Sequence, residues 1–287
     1  MTTWRKGIAE WTIGDTLYLS VPFTWLLEEA QQRASLYRGR VVAGGPAVSL
    51  CGAPWAITDE PSPIEPLLLH NPCATFTTRG CPNACAFCAV PRIEGEFREL
   101  TTWRPAPVIC DNNLLAASRA HFERVVDSLR PFRAVDFNQG LEARLLRPWH
   151  LDLLRQLRVV KLRFAADTEA DVQPVSDAIA MARRHGFREF GVYCLVGWQD
   201  TPASAIARLE AIRALGVRPT PMRYQPLDAT ARNAYVPAGW TVTELRRITR
   251  YYSKLCWLEH IPFADYEVGE HSSQMEMMFG DRDREVV

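Results

Sequence analysis

The chain has 287 residues, of which 47% are hydrophobic and 23% charged, and its 33 basic residues balance 33 acidic ones. That composition suits one large domain, or one domain with an appendage, and leaves no net field to attract nucleic acid or an anionic membrane. No apolar run approaches the ~18 residues of a membrane span, and residues 1–6 lack an apolar signal segment.

Residues 16–50 read as strand, helix, strand: an apolar stretch at 16–20, an amphipathic one at 23–36, and a second strand at 40–43 running into Gly44-Gly45-Pro46. Pro54, Pro61, Pro63, Pro66 and Pro72 crowd the next segment, which predicts a linker with neither helix nor central strand. From residue 74 onward short apolar strands at 74–78, 107–110, 134–137, 159–164, 191–196 and 220–224 alternate with helical stretches. The stretch 115–130 repeats Phe122, Val125, Val126 and Leu129 at helical spacing, and 170–185 stops before Gly186. In 201–215, Thr201 is a candidate N-cap, with Pro202 in the first turn and Gly216 as the stop. Between the first two strands only 94–101 suggests a helix, and a short one. After residue 236, Thr241-x-x-Glu244 forms a capping-box pattern ahead of Leu245, Ile248, Tyr252 and Leu255. The final stretch from Gly269 is charged and carries Met275, Met277 and Met278.

Strand–helix alternation implies α/β architecture with a parallel sheet, and six strands suit a partial (β/α)6 TIM-like barrel. The expected organisation is an N-terminal βαβ unit with its linker (1–72), a barrel core (73–235), and a C-terminal helical extension with a tail (236–287). In such a barrel reactive groups gather at the C-terminal strand ends. Those ends carry a loop bearing Cys81, Cys85 and Cys88, Asp111-Asn112-Asn113, Asn138-Gln139-Gly140 followed by Glu142 and Arg144, Arg163 with Asp167-Thr168, Gly197-Trp198-Gln199-Asp200, and Tyr224-Gln225.

The most specific feature is Thr78-Arg79-Gly80-Cys81-Pro82-Asn83-Ala84-Cys85-Ala86-Phe87-Cys88, with cysteines spaced C-x3-C-x2-C. Three thiolates so close suit three irons of a cubic iron–sulfur cluster and leave the fourth without a protein ligand. Gly80 permits a tight bend, and Pro82 stiffens the loop. Zinc is the alternative, yet it prefers four ligands, commonly in two C-x2-C pairs, and here there is one triplet. Cys51, Cys73, Cys110, Cys194 and Cys256 are scattered singly and read as buried, reduced thiols, as expected of a cytoplasmic protein.

The cysteine run, including the aromatic Phe87 before the last cysteine, resembles the signature of the radical S-adenosylmethionine (SAM) superfamily. The resemblance implies a [4Fe-4S] cluster on Cys81, Cys85 and Cys88. SAM would be chelated to the open iron and cleaved reductively to a 5′-deoxyadenosyl radical that abstracts hydrogen from a substrate. It implies adenine contacts near Phe87, and SAM contacts from Asp111 and Asn112, which replace the family's Gly-Gly-Glu-like segment. The triplet Asp111-Asn112-Asn113 is similar to the branch holding methylthiotransferases and cobalamin-associated enzymes. Gln139 and Arg163 are candidates for the ribose and the carboxylate, and Trp198 for walling in the adenosyl group. The segment 16–50 resembles a truncated piece of a cobalamin-binding Rossmann domain, without its Asp-x-His-x-x-Gly motif. The expected partners are a small-molecule or peptide substrate and a low-potential electron donor such as flavodoxin or ferredoxin. The other readings are a non-catalytic iron–sulfur or zinc-binding protein, a scaffold that binds SAM without cleaving it, and a radical SAM methyltransferase using cobalamin.

Overall fold

The computed structural model describes residues 4–258 and 260–267, the side chain of Cys256 excepted. The Met-rich stretch from Gly269 lies outside the described residues. The chain is mixed α/β and divides into two compact units. The first holds residues up to 165 together with 173–191 and 224–235, and the second holds 166–172, 192–223 and the chain from 236 onward.

The first unit opens with β1 (Ala9–Ile13) and β2 (Thr16–Ser20), an antiparallel hairpin turning at Gly14 with φ 60°. A helix α1 (Leu27–Leu36) then returns the chain to β3 (Arg40–Gly44), which pairs parallel with β2. Leu17, Leu19, Val21 and Ala43 pack beneath Ala30 and Ala34 of α1, so the expected βαβ unit is present with an extra edge strand. β1 was not legible because only Ala9 of its five residues is fully buried. The Gly44-Gly45-Pro46 turn leads into α2 (Pro46–Cys51).

The proline-rich segment departs from the linker expectation. It contains α3 (Pro66–His70), where Pro66 takes the first-turn position that needs no N–H donor. Two short strands follow, β4 (Ala74–Thr75) and β5 (Thr78–Arg79), then the cysteine loop. The short helix beyond the loop is α4 (Val90–Ile93), ahead of the expected 94–101. The charged pair β6 (Arg98–Glu99) instead forms a strand antiparallel to β5, held by pairing and not by propensity.

β7 (Val108–Ile109) lies parallel to β4 and leads into α5 (Arg119–Leu129), capped by the Ser118 side chain. Phe122, Val125, Val126 and Leu129 are all buried on its inner face. Full burial of each contributes roughly 1.5–3 kcal/mol, more than the helix's propensity could supply alone. β8 (Asp136–Phe137) completes the parallel order β4-β7-β8, and α6 (Pro148–Leu154) follows it. Val135 bridges Val159 in parallel, carrying the sheet toward β9 (Leu162–Ala165), and α7 (Val172–Arg184) comes next in the chain.

In the second unit, residues 192–196 of β10 (Phe190–Val196) pair parallel with β11 (Pro219–Arg223) across α8 (Pro202–Ala214). Thr201 caps α8 as expected, its hydroxyl accepting the Ser204 N–H. Thr241 and Glu244 close the capping box of α9 (Val242–Ser253), which buries Leu245, Ile248, Tyr251 and Tyr252 and is followed by α10 (Leu255–Leu258). Three strands β4, β7 and β8 in one sheet, and β10 with β11, are parallel in the way a (β/α) barrel requires, but no closed barrel forms among the described residues. No helix among them is long and apolar enough to cross a membrane.

Candidate functional site

Because β4, β7 and β8 run parallel, their C-terminal ends share one edge. From that edge come the cysteine loop, Asp111-Asn112-Asn113 and Asn138-Gln139. Gly80 turns the chain into the loop with φ 74°, a conformation that side chains rarely adopt, and its N–H donates to Glu94 Oε2 at 2.7 Å. Glu94 also pairs with Arg79 at 3.0 Å, and the Arg79 guanidinium lies 4.0 Å from the Phe76 ring centroid.

Cys81, Cys85 and Cys88 are each half-buried. Short turns shape the loop: the Cys85 N–H donates to the Asn83 carbonyl at 2.9 Å and the Cys88 N–H to the Cys85 carbonyl at 3.0 Å. Two donors reach the Cys81 sulfur, the Asn83 N–H at 3.4 Å and the Asn113 Nδ2 at 3.5 Å. The Asn83 side chain donates to Glu142 Oε2 at 2.6 Å. Glu142 in turn accepts the Arg144 Nε at 2.8 Å and its Nη2 at 3.0 Å. Burial pushes the Glu142 carboxyl up, but the Arg144 bonds and the Asn83 amide outweigh it and hold it below its ordinary value.

Asp111 is 2% exposed. Its Oδ1 accepts the N–H groups of Thr77 at 2.6 Å and Thr78 at 3.0 Å, and its Oδ2 accepts the Thr77 hydroxyl. Burial raises its carboxyl above the ordinary range against the pull of those bonds. Asp111 is thus engaged by the strand that enters the loop. Asn112 and Asn113 differ: the Asn112 Nδ2 and the Asn113 Oδ1 are buried with no hydrogen-bond partner among the described residues.

Of the other sequence candidates, Gln139 is exposed in the turn after β8, and Phe87 is half-buried in the loop. Arg163 on β9 is paired with Asp136 on β8. Trp198 is half-buried in the second unit, in the Gly197–Asp200 bend, where the Gly197 N–H donates to Asp200 Oδ1 at 3.0 Å and Gln199 has φ 49°. The structure therefore brings Cys81, Cys85, Cys88, Asn113 and the Asp111 clasp together within the first unit. Sequence reasoning placed Glu142 and Arg144 at the rim but missed Asn83, Thr77 and Asp136. Only Asp136 left a signal, a charged residue inside an otherwise apolar strand. Of the isolated cysteines, Cys110 and Cys194 are buried, Cys73 is half-buried, and Cys51 is exposed, against expectation, at the end of α2. The side chain of Cys256 lies outside the described residues.

Whether these residues fit an iron–sulfur cluster is a question of donor type and placement. Among the described residues no three His, Cys, Asp or Glu side chains converge on a point that a single metal ion could occupy. A cubane takes its thiolates from separate corners, so its ligands stand further apart than those of a mononuclear zinc. Three cysteines in one short loop, two N–H donors on the Cys81 sulfur and a buried amide oxygen of Asn113 beside it fit the cluster.

No family model matches the sequence, and no curated protein matches it. Among solved structures the chain is similar to coproporphyrinogen III oxidase (HemN) from Escherichia coli, a radical SAM enzyme, at 16% identity and a TM-score of 0.39. The match covers 53% of this chain and 39% of that one. A likeness of that size decides neither fold nor reaction.

Proposed function

We propose that the chain is a radical SAM enzyme acting on a small-molecule or peptide substrate. The observation that carries this reading is the placement of a C-x3-C-x2-C loop at the C-terminal edge of the parallel β4-β7-β8 sheet, with the Asn113 amide on the Cys81 sulfur. Cys81, Cys85 and Cys88 would hold a [4Fe-4S] cluster and leave one iron for SAM. With both bound, the pair would supply reductive cleavage of SAM to a 5′-deoxyadenosyl radical.

The chain's own residues bind, orient and shield. The N–H of Asn83 and the Nδ2 of Asn113 stabilise the thiolate of Cys81, which raises the potential of a cluster ligated there. The unpartnered Oδ1 of Asn113 suits the ammonium of SAM, and the unpartnered Nδ2 of Asn112 suits a carboxylate or ribose oxygen. Gln139, exposed after β8, remains the ribose candidate, and Phe87 the adenine contact. Asp111 and Arg163 serve better as supports, since each already has a partner inside the chain. The triplet Asp111-Asn112-Asn113 alone favours the methylthiotransferase and cobalamin-associated branch. A donor such as flavodoxin or ferredoxin would supply the electron.

Protein reconstituted anaerobically with iron and sulfide should contain close to four irons per chain and, with dithionite, convert SAM to 5′-deoxyadenosine. Cys81→Ala, Cys85→Ala and Cys88→Ala should each abolish the product. An intact cluster that yields no 5′-deoxyadenosine would overturn the enzyme, and one zinc per chain in its place would favour a binding module.

A further inference from the structure

His121 is 1% exposed on the first turn of α5, beside Trp103 at 5.2 Å between ring centroids. Its Nε2 lies 3.4 Å from the Thr77 hydroxyl, and its Nδ1 is buried without a hydrogen-bond partner, 3.6 Å from Glu99 Oε2. A histidine serving only to fill space here would be better replaced by phenylalanine, which buries no polar atom. The retained imidazole therefore calls for a role in the bonds that it does make.

Donor directions supply that role. Asp111 accepts the Thr77 hydroxyl proton on Oδ2, so Thr77 Oγ1 has only lone pairs left for His121. His121 must then donate from Nε2. The Nε2–H tautomer leaves the Nδ1 lone pair facing Glu99, and burial, which disfavours the imidazolium, outweighs the opposing pull of the Glu99 charge and keeps the ring neutral. Glu99 is itself anchored, since its Oε1 accepts the Ser118 N–H at 2.5 Å. The order His121 to Thr77 to Asp111 has one sense of donation, and it ends on the carboxylate that holds the N–H groups of Thr77 and Thr78. Those two residues lie immediately before Arg79, Gly80 and Cys81. From the other side, the Thr77 carbonyl accepts the Leu100 N–H at 2.9 Å.

We propose that His121 is a positioning residue for the cysteine loop, acting through Thr77 to fix Asp111 as the clasp on the backbone of Thr77 and Thr78. The inference rests on reading Cys81, Cys85 and Cys88 as cluster ligands. The clasp sets where Gly80 and Cys81 emerge from the strand, and α5 thereby steadies a loop that it does not itself carry.

Amide hydrogen exchange in the metal-free full chain reads the clasp directly. His121→Phe and Thr77→Val should speed exchange at Thr77 and Thr78 by about tenfold, the size expected for loosening a hydrogen bond to a charged group. Exchange at residues 192–196 of β10 should stay unchanged, which separates loosening from global unfolding. His121→Gln, which keeps an N–H donor near the Nε2 position, and Thr77→Ser should restore wild-type protection. After reconstitution, His121→Phe and Thr77→Val should lose iron to a chelator about tenfold faster than wild type, and His121→Gln should not. Wild-type exchange in His121→Phe, or a His121→Gln variant no better than His121→Phe, would overturn the proposal. If wild-type protein takes up no iron and sulfide while the exchange pattern holds, it is the cluster reading that fails, and the loop-positioning role falls with it.

Discussion

The bond from the Asn83 side chain to Glu142 offers the sharpest test of how the cysteine loop is held. It joins the middle of the loop to the segment after β8 across 59 residues of sequence, at 2.6 Å, and its acceptor carboxylate is only 16% exposed. A hydrogen bond to a charged group contributes about 1.5–3 kcal/mol, so removing it lowers the population of the ordered loop by about tenfold to a hundredfold. Asn83→Ala deletes the donor and leaves Glu142 with Arg144. Asn83→Asp places a second carboxylate against the first, so it should be the worse of the two despite being nearly isosteric. In the reconstituted protein the rate of iron transfer to a chelator reads the loop's opening. Asn83→Ala should lie within that tenfold to hundredfold acceleration, and Asn83→Asp beyond it. Equal release from wild type and both variants would mean that the loop's geometry is set without this bond.

Three further outcomes follow from the same structure. Gly80→Ala puts a methyl group into the Glu96 carbonyl and forces alanine to φ 74°, so iron uptake should be lost while the helical circular dichroism of the chain is retained; normal uptake would contradict the tight turn. His150 is buried among Trp149 and Phe122, with its Nδ1 accepting the Arg147 N–H at 3.0 Å, and burial, helped by the Arg147 charge, pushes its pKa down to about 4. The unfolded chain binds this proton near 6.5 and the folded chain does not, so stability present above about pH 6.5 falls as pH drops toward about 4, by at most about 3 kcal/mol. Urea melts of metal-free wild type and His150→Gln between those limits should diverge by that amount, and an NMR midpoint near 6.5 for His150 would refute it. Burial also pushes the Cys110 and Cys194 thiols up to about 12, so iodoacetamide at pH 8 should label the exposed Cys51 and spare both; peptide mass spectrometry reads the pattern.

What the sequence made legible was local. Helical spacing located α5, and Thr201 and Thr241 marked two helix starts, because a cap and an apolar stripe are written within a few residues. The cysteine spacing was equally local. The remainder depends on partners far along the chain. Arg98 and Glu99 form a strand only because Thr78 and Arg79 lie beside them. Arg163 read as a ligand-binding residue because its counter-charge, Asp136, sits 27 positions earlier. Asp111 read as a SAM contact for the same reason, since its three donors come from Thr77 and Thr78, more than thirty positions earlier.

Those distant partners share one chemistry. Three carboxylates hold the segment 77–83: Asp111 on the N–H groups of Thr77 and Thr78, Glu94 on that of Gly80, and Glu142 on the Asn83 side chain. Charge-assisted bonds are the strongest available for fixing a short irregular backbone. They also carry a penalty at this place, because nearby negative charge opposes thiolates and lowers the potential of any cluster they bind. The two carboxylates nearest the cysteines in sequence contact are each matched by a guanidinium, Glu94 by Arg79 at 3.0 Å and Glu142 by Arg144 at 2.8 Å. Among the described residues Asp111 has no such cation paired with it and relies on the Thr77 and Thr78 donors, which is why its support from His121 matters most. Replacing Arg144 with an uncharged residue should therefore lower the potential of the reconstituted protein while leaving the Asn83 bond in place, whereas loss of Asn83 should free the loop and leave the local charge unchanged.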